Sequence, residues 1–245
     1  MGKQSGLGDQ LFISAVDIGA DVSAIGTLST PREVLPATGI TQFANARLYG
    51  KRDGQAEFNT FFNDELGGTH QTLKTLPRTD AHVMYLRGSG IGSEAVGLVG
   101  KQVDYAATRG DDGSFMFSVA VSANGFGIDW CDQLTSGKQT HAVGASNASV
   151  DTLAAANFGF QAYLQVFSIG SGTATVTIED SANNSTWATL AGGVFTNVTA
   201  PTVERIQSSS STATVRRYLR VTTSGVFTNL VFAVAINKNQ GERAI

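Results

Sequence analysis

Residues 45–86, NARLYGKRDGQAEFNTFFNDELGGTHQTLKTLPRTDAHVMYL, decide how this chain is read. Asp53-Gly54 accepts the positive backbone dihedrals of a tight turn, and Leu48 and Phe58 lie in flanking segments able to bury one sheet face. The start of the stretch therefore reads as a hairpin. Asn63 or Asp64 is placed to cap a short helix over residues 63–76, with Leu66, His70, Leu73 and Leu76 near one helical stripe. Gly67 and Gly68 each cost such a helix roughly 1 kcal/mol relative to Ala, so packing against the sheet has to hold it. AHVMYL (81–86) then reads as a third strand. A short helix on one side of an antiparallel sheet is the organising unit, and nothing in it looks catalytic.

Composition agrees. The chain has 245 residues with 28 glycines and four prolines, and it is rich in Thr, Ser, Val and Ala, which favours a mainly β protein with tight turns. Its length suits one large β domain or two smaller ones. The formal net charge is -3, with 11 basic against 15 acidic residues through Val150 and 6 against 5 beyond it. A protein that grips DNA through its phosphates needs a basic excess or a basic face; this distribution tolerates DNA nearby without holding it. Cys131 is the single cysteine, which excludes an intramolecular disulfide and a multi-cysteine metal site and reads as a buried thiol in a reducing compartment. The first 22 residues lack the apolar core of a signal peptide and no later run reaches transmembrane length, so a soluble protein made in the cytosol is expected.

Taken in order, residues 1–11 read as a polar arm, and Ile13, Val16 and Ile18 fix the next segment against a sheet. Residues 23–39, with Pro31, Pro36 and Gly39, read as an irregular loop suited to assembly contacts. Gly88, Gly90 and Gly92 match neither a dinucleotide fingerprint nor a P-loop and read as a turn. Residues 98–105 and 114–123 read as strands joined through Gly110 to Gly113, with Phe115, Phe117, Val119 and Val121 on one face and Met116, Ser118, Ala120 and Ser122 on the other. Trp130 reads as a core filler ahead of an assembly anchor. Residues 135–157 carry few large side chains and read as a connection between domains. From Phe158 onward, short strands at close intervals predict an antiparallel sandwich of seven or eight strands. There Ala174, Val176 and Ile178 oppose Thr173, Thr175 and Thr177, and Leu230, Phe232, Val234 and Ile236 share a face. The expected domains are 1–150 and 151–245.

No residue is assigned a catalytic, cofactor-binding or metal-binding role, and no enzyme activity is expected. His70, His82 and His141 form no metal or nucleophile motif. Asp111–Asp112 and Glu179–Asp180 lack the alternating oxygen-ligand spacing of a calcium loop and read as solvated turn residues. VRRYLRV (215–221) places Arg216, Tyr218 and Arg220 on one strand face and Arg217 with Leu219 and Val221 on the other. That stripe reads as a solvated or intersubunit face first, and as a site for a glycan, an acidic partner or nucleic acid second. Trp187 reads as core first and stacking platform second.

The succession VDIGADVSAI (16–25), ITQFANARLYGKRDGQAEFNTFFND (40–64), the helix near 65–76, AHVMYL, LVGKQVDY (98–105) and GSFMFSVAVSANG (113–125) resembles the major tail protein, or tail tube protein, of long-tailed bacteriophages. The likeness is one of arrangement and covers roughly the first 130 to 150 residues. It implies a tail-tube-like β sandwich or barrel with a flanking short helix, whose copies close into hexameric rings that stack as a conduit for DNA. Residues 47–62 and 115–123 would line the conduit, and the arm and residues 29–40 would join rings. Tape-measure, tail terminator and baseplate proteins are the partners implied, with assembly in the host bacterial cytoplasm and a final place in the virion tail.

SANNSTWATLAGG (181–193) and VRRYLRV resemble an added immunoglobulin-like or galactose-binding-like β sandwich, which would decorate the tube or attach to host-surface glycans. Removing it from about Asn157 is expected to leave polymerisation intact. The alternative roles are a capsid decoration or head-tail connector component, and an adhesin-like carbohydrate-binding module.

Overall fold

The structure, a computed structural model, describes residues 5–76 and 78–241. Residues 1–4 of the expected arm lie outside that range. In chain order the strands begin with β1 (Gln10–Ile13), β2 (Val16–Asp17), β3 (Val22–Ser29), β4 (Arg32–Pro36), β5 (Arg47–Arg52) and β6 (Gln55–Phe61). The short helix α1 (Thr69–Leu73), the one helix among the described residues, precedes β7 (Ala81–Leu86), β8 (Glu94–Arg109), β9 (Phe115–Ala123), β10 (Asp129–Gln133), β11 (Gln139–His141) and β12 (Val150–Asp151). Last come β13 (Phe160–Ser168), β14 (Ser171–Ser181), β15 (Ala188–Val194), β16 (Thr202–Gln207), β17 (Tyr218–Thr228) and β18 (Leu230–Lys238). The protein is mainly β, with several sheets and a sandwich arrangement, and no sheet of the described residues closes into a barrel. No helix among them is long and apolar enough to cross a membrane.

The chain divides into two compact units that are discontinuous in sequence. The first comprises Met1–Ala20, His82–Gly97 and Asp129–Ile245; the second comprises Asp21–Ala81 and Leu98–Ile128. Strand β8 belongs to the first as far as Gly97 and to the second from Leu98.

In the first unit a sheet runs β16-β13-β18-β10-β8-β7-β1-β2, and a second sheet runs β12-β17-β14-β15. Period-two alternation builds the core between them, as the sequence predicts. Phe160, Leu164 and Val166 of β13 and Leu230, Phe232, Val234 and Ile236 of β18 share one buried cluster with Ala174, Val176 and Ile178 of β14. Six strands follow Phe158 where seven or eight were expected, because Val198 and Val215 each make only a single bridge, to Ala174 and Ala156. Strand β13 is buried on both faces. On its other side the Ala15 N–H donates to Gln165 Oε1 at 2.6 Å, Gln165 Nε2 donates to His82 O at 2.8 Å, and Phe12 meets Phe167 edge-on at 4.7 Å.

The expected boundary after Val150 falls within β12 and inside this first unit. Nor is the segment 135–157 a bare connection: β11 pairs with β18, β12 with β17, and Ser146 and Ala156 bridge to Thr222 and Val215. Composition reports where large side chains are scarce; it is silent on which distant strand a backbone pairs with.

The second unit is the antiparallel sheet β3-β6-β9-β8 together with the separate two-stranded sheet β4-β5. Here the hairpin reading of Asp53-Gly54 is overturned, since β5 pairs with β4 while β6 pairs with β3 and β9. Gly54 serves close approach instead: a Cβ there would lie 2.7 Å from the backbone nitrogen of Ile128. Residues 23–39, expected to be irregular, mostly form β3 and β4. Pro36 is tolerated as the last residue of a strand at an edge.

The helix is shorter than the stripe of leucines predicts. Gly67 adopts φ 84° and leaves Leu66 exposed outside it, and Leu76 turns away at φ 42°. In place of a cap from Asn63 or Asp64, the Asp21 carboxylate accepts both the backbone N–H and the hydroxyl of Thr69 at 3.2 Å. Thr69 and Leu73 are the helical residues that become buried.

Candidate assembly surface

Strands β4 and β5 stand apart from the main sheet of their unit. All of β4 is exposed, and β5 is exposed or half-buried throughout. Val34, Leu35, Leu48 (61 %) and Tyr49 (78 %) are on this ribbon, and the connecting loop carries Ile40 and Phe43 at 106 % and 108 % exposure. The loop is nevertheless built: Ala37 N–H donates to Ala46 O at 2.9 Å, Ala46 N–H to Thr38 Oγ1 at 3.0 Å, and Gln42 N–H to Gly39 O at 3.0 Å. An isolated two-stranded hairpin is marginal in water, and a run of large exposed apolar side chains marks a surface that another molecule covers.

The β3-β6-β9-β8 sheet has two unlike faces. Ala56, Phe58, Thr60, Phe117, Val119 and Val121 are buried on the face that carries α1. Gln102 of β8 joins them, its Nε2 donating to Leu73 O at 2.8 Å. The alternate residues Gln55, Glu57, Asn59, Met116, Ser118, Ala120 and Ser122 form the other face, with Asp104, Ala106 and Thr108 paired alongside. Glu57 and Asp104 are the charges among these residues. Lys101, opposite Ser122, is held by Asp80 at 2.7 Å. The expected split of the 115–123 strand into two faces is present, and the accessible face is polar and nearly free of positive charge.

Where these strands end, an aromatic cluster reaches the surface. Phe117 stacks on Tyr105 (4.4 Å between centroids) and meets Phe115 edge-on at 5.0 Å, while Phe62 lies 5.4 Å from Phe115 and 4.8 Å from His70. His70 Nδ1 is 2.9 Å from the Tyr105 hydroxyl, whose pKa burial raises. Phe62 and Phe115 are each 41 % exposed. His70 thus lies at the contact between the helix and the sheet.

The arginines of VRRYLRV are engaged within the first unit. Arg216 lies 3.5 Å from Asp180, Arg217 makes two 2.7 Å bonds to Asp151, and Arg220 reaches Glu179 at 2.7 Å. The Arg217 bonds pull the Asp151 carboxyl down to about 2. Each guanidinium expected as a ligand contact therefore has a carboxylate of its own chain. Trp187 is half-buried beneath Arg220 rather than in the core. Trp130 is 52 % exposed, which corrects its reading as a core filler. His141, placed by sequence in a linker, is buried between Thr223 Oγ1 (2.7 Å) and Asn147 Oδ1 (2.8 Å), and burial lowers its pKa.

Asp112 accepts the Ser114 N–H in an exposed turn, as a solvated turn residue does. Among the described residues no group of three or more His, Cys, Asp or Glu side chains could hold a metal ion. Cys131 is buried, and burial pushes its thiol well above the ordinary value.

Fold and surface together define a mainly β-sheet protein with an exposed apolar ribbon. No protein-family model and no curated protein matches the chain. Among solved structures it is similar to a chain of the virion of a native gene transfer agent particle, at a TM-score of 0.43 and 12% identity over 52% of this chain and 98% of that one. It is also similar to the SPP1 Dit protein, described as a hub adsorption apparatus paradigm of phages infecting Gram-positive hosts (0.36, 10%, covering 94% and 98%), and to a chain of the phage p2 baseplate in its activated conformation (0.34, 10%, covering 94% and 98%).

Proposed function

We propose that this chain is a structural subunit of a bacteriophage tail, whose second unit joins copies of itself into closed rings around a passage for DNA. The observation that carries this reading is the β4-β5 ribbon: six large apolar side chains lie exposed on and between two strands that no other strand of their unit flanks. Burying each in a neighbouring copy is worth about 1.5–3 kcal/mol before ordering costs. Identical subunits that bury such a ribbon in a head-to-tail contact form a ring if the rotation closes and a filament if it does not.

The polar face of β6, β9 and β8 supports the passage. Ser, Thr, Ala, Asn and Gln side chains with Glu57 and Asp104, and with Lys101 held by Asp80, offer phosphates little fixed positive charge to release counterions against, so a polyanion slides past them. The paired arginines and the covered Trp187 leave the glycan-binding alternative without the free stacking face and free guanidinium groups on which it rested.

Negative-stain microscopy of the purified full chain tests this reading. Uniform closed rings or hollow tubes are expected. Monomers at every concentration would overturn it, and attachment only to preformed capsids would overturn it in favour of a decoration role.

A further inference from the structure

The exposed ribbon and the aromatic cluster of the second unit carry opposite charge around their apolar side chains. The loop of the ribbon exposes Ile40 and Phe43, and the exposed charged residues of the ribbon are Arg32, Arg47 and Lys51 against one acid, Glu33. Arg32 lies over the Tyr49 ring at 5.6 Å, which keeps positive charge beside the apolar side chains. By contrast, the aromatic cluster is a half-open patch whose exposed members Phe62 and Phe115 are followed by Asp64 and Glu65 and preceded by Asp111 and Asp112. All four acids are exposed, and Arg109 is the single basic residue of the β8–β9 connection and its flanks. One surface is apolar with a basic surround; the other is aromatic with an acidic surround.

We propose that the Ile40–Phe43 tip of one copy docks on the Phe62–Phe115 patch of the next, with Arg32, Arg47 and Lys51 facing Asp64, Glu65, Asp111 and Asp112. This rests on the tail-subunit reading and names the receiving surface for it. The contact is heterologous, so each copy both gives a tip and accepts one, as a ring or filament requires. A phenylalanine buries about 150–250 Å², well short of the roughly 800 Å² per partner of a standard interface. The tip is therefore an anchor within a larger contact, and the charges set its register and its salt dependence.

Cysteine cross-linking in the full chain tests it. Phe43→Cys and Phe115→Cys are made in separate chains, mixed, assembled and oxidised. Linked dimers are expected from the mixture and absent from either variant alone, where buried Cys131 is the other thiol. A second arm uses charge. Arg47→Glu and Asp112→Lys should each raise the concentration needed for assembly about tenfold, and the two combined in one chain should restore it.

Assembly without a cross-link, or single-variant weakening that the double variant does not repair, overturns the docking proposal while leaving the tail-subunit reading intact. A wild-type chain that never assembles overturns both.

Discussion

The guanidinium of Arg220 lies over the indole of Trp187, 4.2 Å from the ring centroid, while its Nη2 reaches Glu179 at 2.7 Å. Three side chains, from β14, β17 and the residue just before β15, are thereby joined, and the aromatic face is occupied by a group of the same chain. The arrangement accounts for a tryptophan that is neither core nor open platform. Arg220→Ala should cost about 1–2 kcal/mol, combining a partly desolvated cation–π contact with a half-buried ion pair. Urea unfolding followed by tryptophan fluorescence measures it, and the native emission should shift to the red as the indole gains water.

A deeper charge sits at Asp129, which is buried beside Arg205 and accepts the Tyr163 hydroxyl at 2.5 Å. Arg205 also donates to that hydroxyl at 3.2 Å, and burial together with the Asp129 charge raises the Tyr163 pKa well above its ordinary value. Arg205→Met would remove the positive charge beside a buried carboxylate and should cost about 3–5 kcal/mol. Tyr163→Phe removes one donor and should cost about 1–3 kcal/mol. If thermal denaturation ranks the two variants the other way, the ion pair is not what compensates Asp129.

Acid should weaken the first unit through His141. Burial depresses its pKa in the folded state below the 6.5 of the unfolded chain, so the unfolded state binds more protons as pH falls. The stability this provides is complete above about 6.5 and is lost as pH drops toward the depressed value. Thr223, Asn147 and Gln139 surround the ring with no charge to offset protonation. Asp132 works in the opposite sense, because burial and Glu94 raise its pKa and acidification relieves that cost. Comparing urea midpoints at pH 7.5 and pH 5 for wild type and His141→Gln isolates the histidine. The variant should be weaker at pH 7.5 and should show a smaller loss on acidification.

Truncation at Asn157 should not leave a working assembly domain. It removes β13 and β18, and with them one of the two partners of β10 and the residues that contact Phe12 and His82. Expressed alone, residues 1–156 should aggregate or lose cooperative unfolding, as circular dichroism during a denaturant titration would register. A folded, polymerising fragment would restore the sequential division at residue 150.

What the sequence reveals and what it hides follow one rule. Strands with one wet face, such as Phe115–Ala123 and Thr173–Ile178, are legible because their alternation is printed in the side chains. Strand β13 is less so, since Gln161, Tyr163 and Gln165 are buried polar residues whose partners Asn237, Asp129 and Ala15 lie 76, 34 and 150 residues away. Gly54 misleads because a glycine kept for close approach has the same letter as one kept for a turn.

Residues 29–40, expected as a contact loop, overlap the ribbon but omit Phe43, Leu48 and Tyr49. A hairpin exposed on both sides carries no periodic signal to find them by. Trp130 and His141 are likewise decided by neighbours that no local pattern names.

The ribbon itself permits the most direct test. Asp53 N–H donates to Pro31 O at 3.0 Å, so its two ends meet at the base and a short Gly-Ser link can replace residues 32–52 without stretching the unit. Sedimentation velocity of the full chain and of this shortened chain, with matched circular dichroism, should give closed oligomers for the first and a folded monomer for the second. Equal assembly by both chains, or a full chain that remains monomeric at every concentration, would contradict assembly through the ribbon.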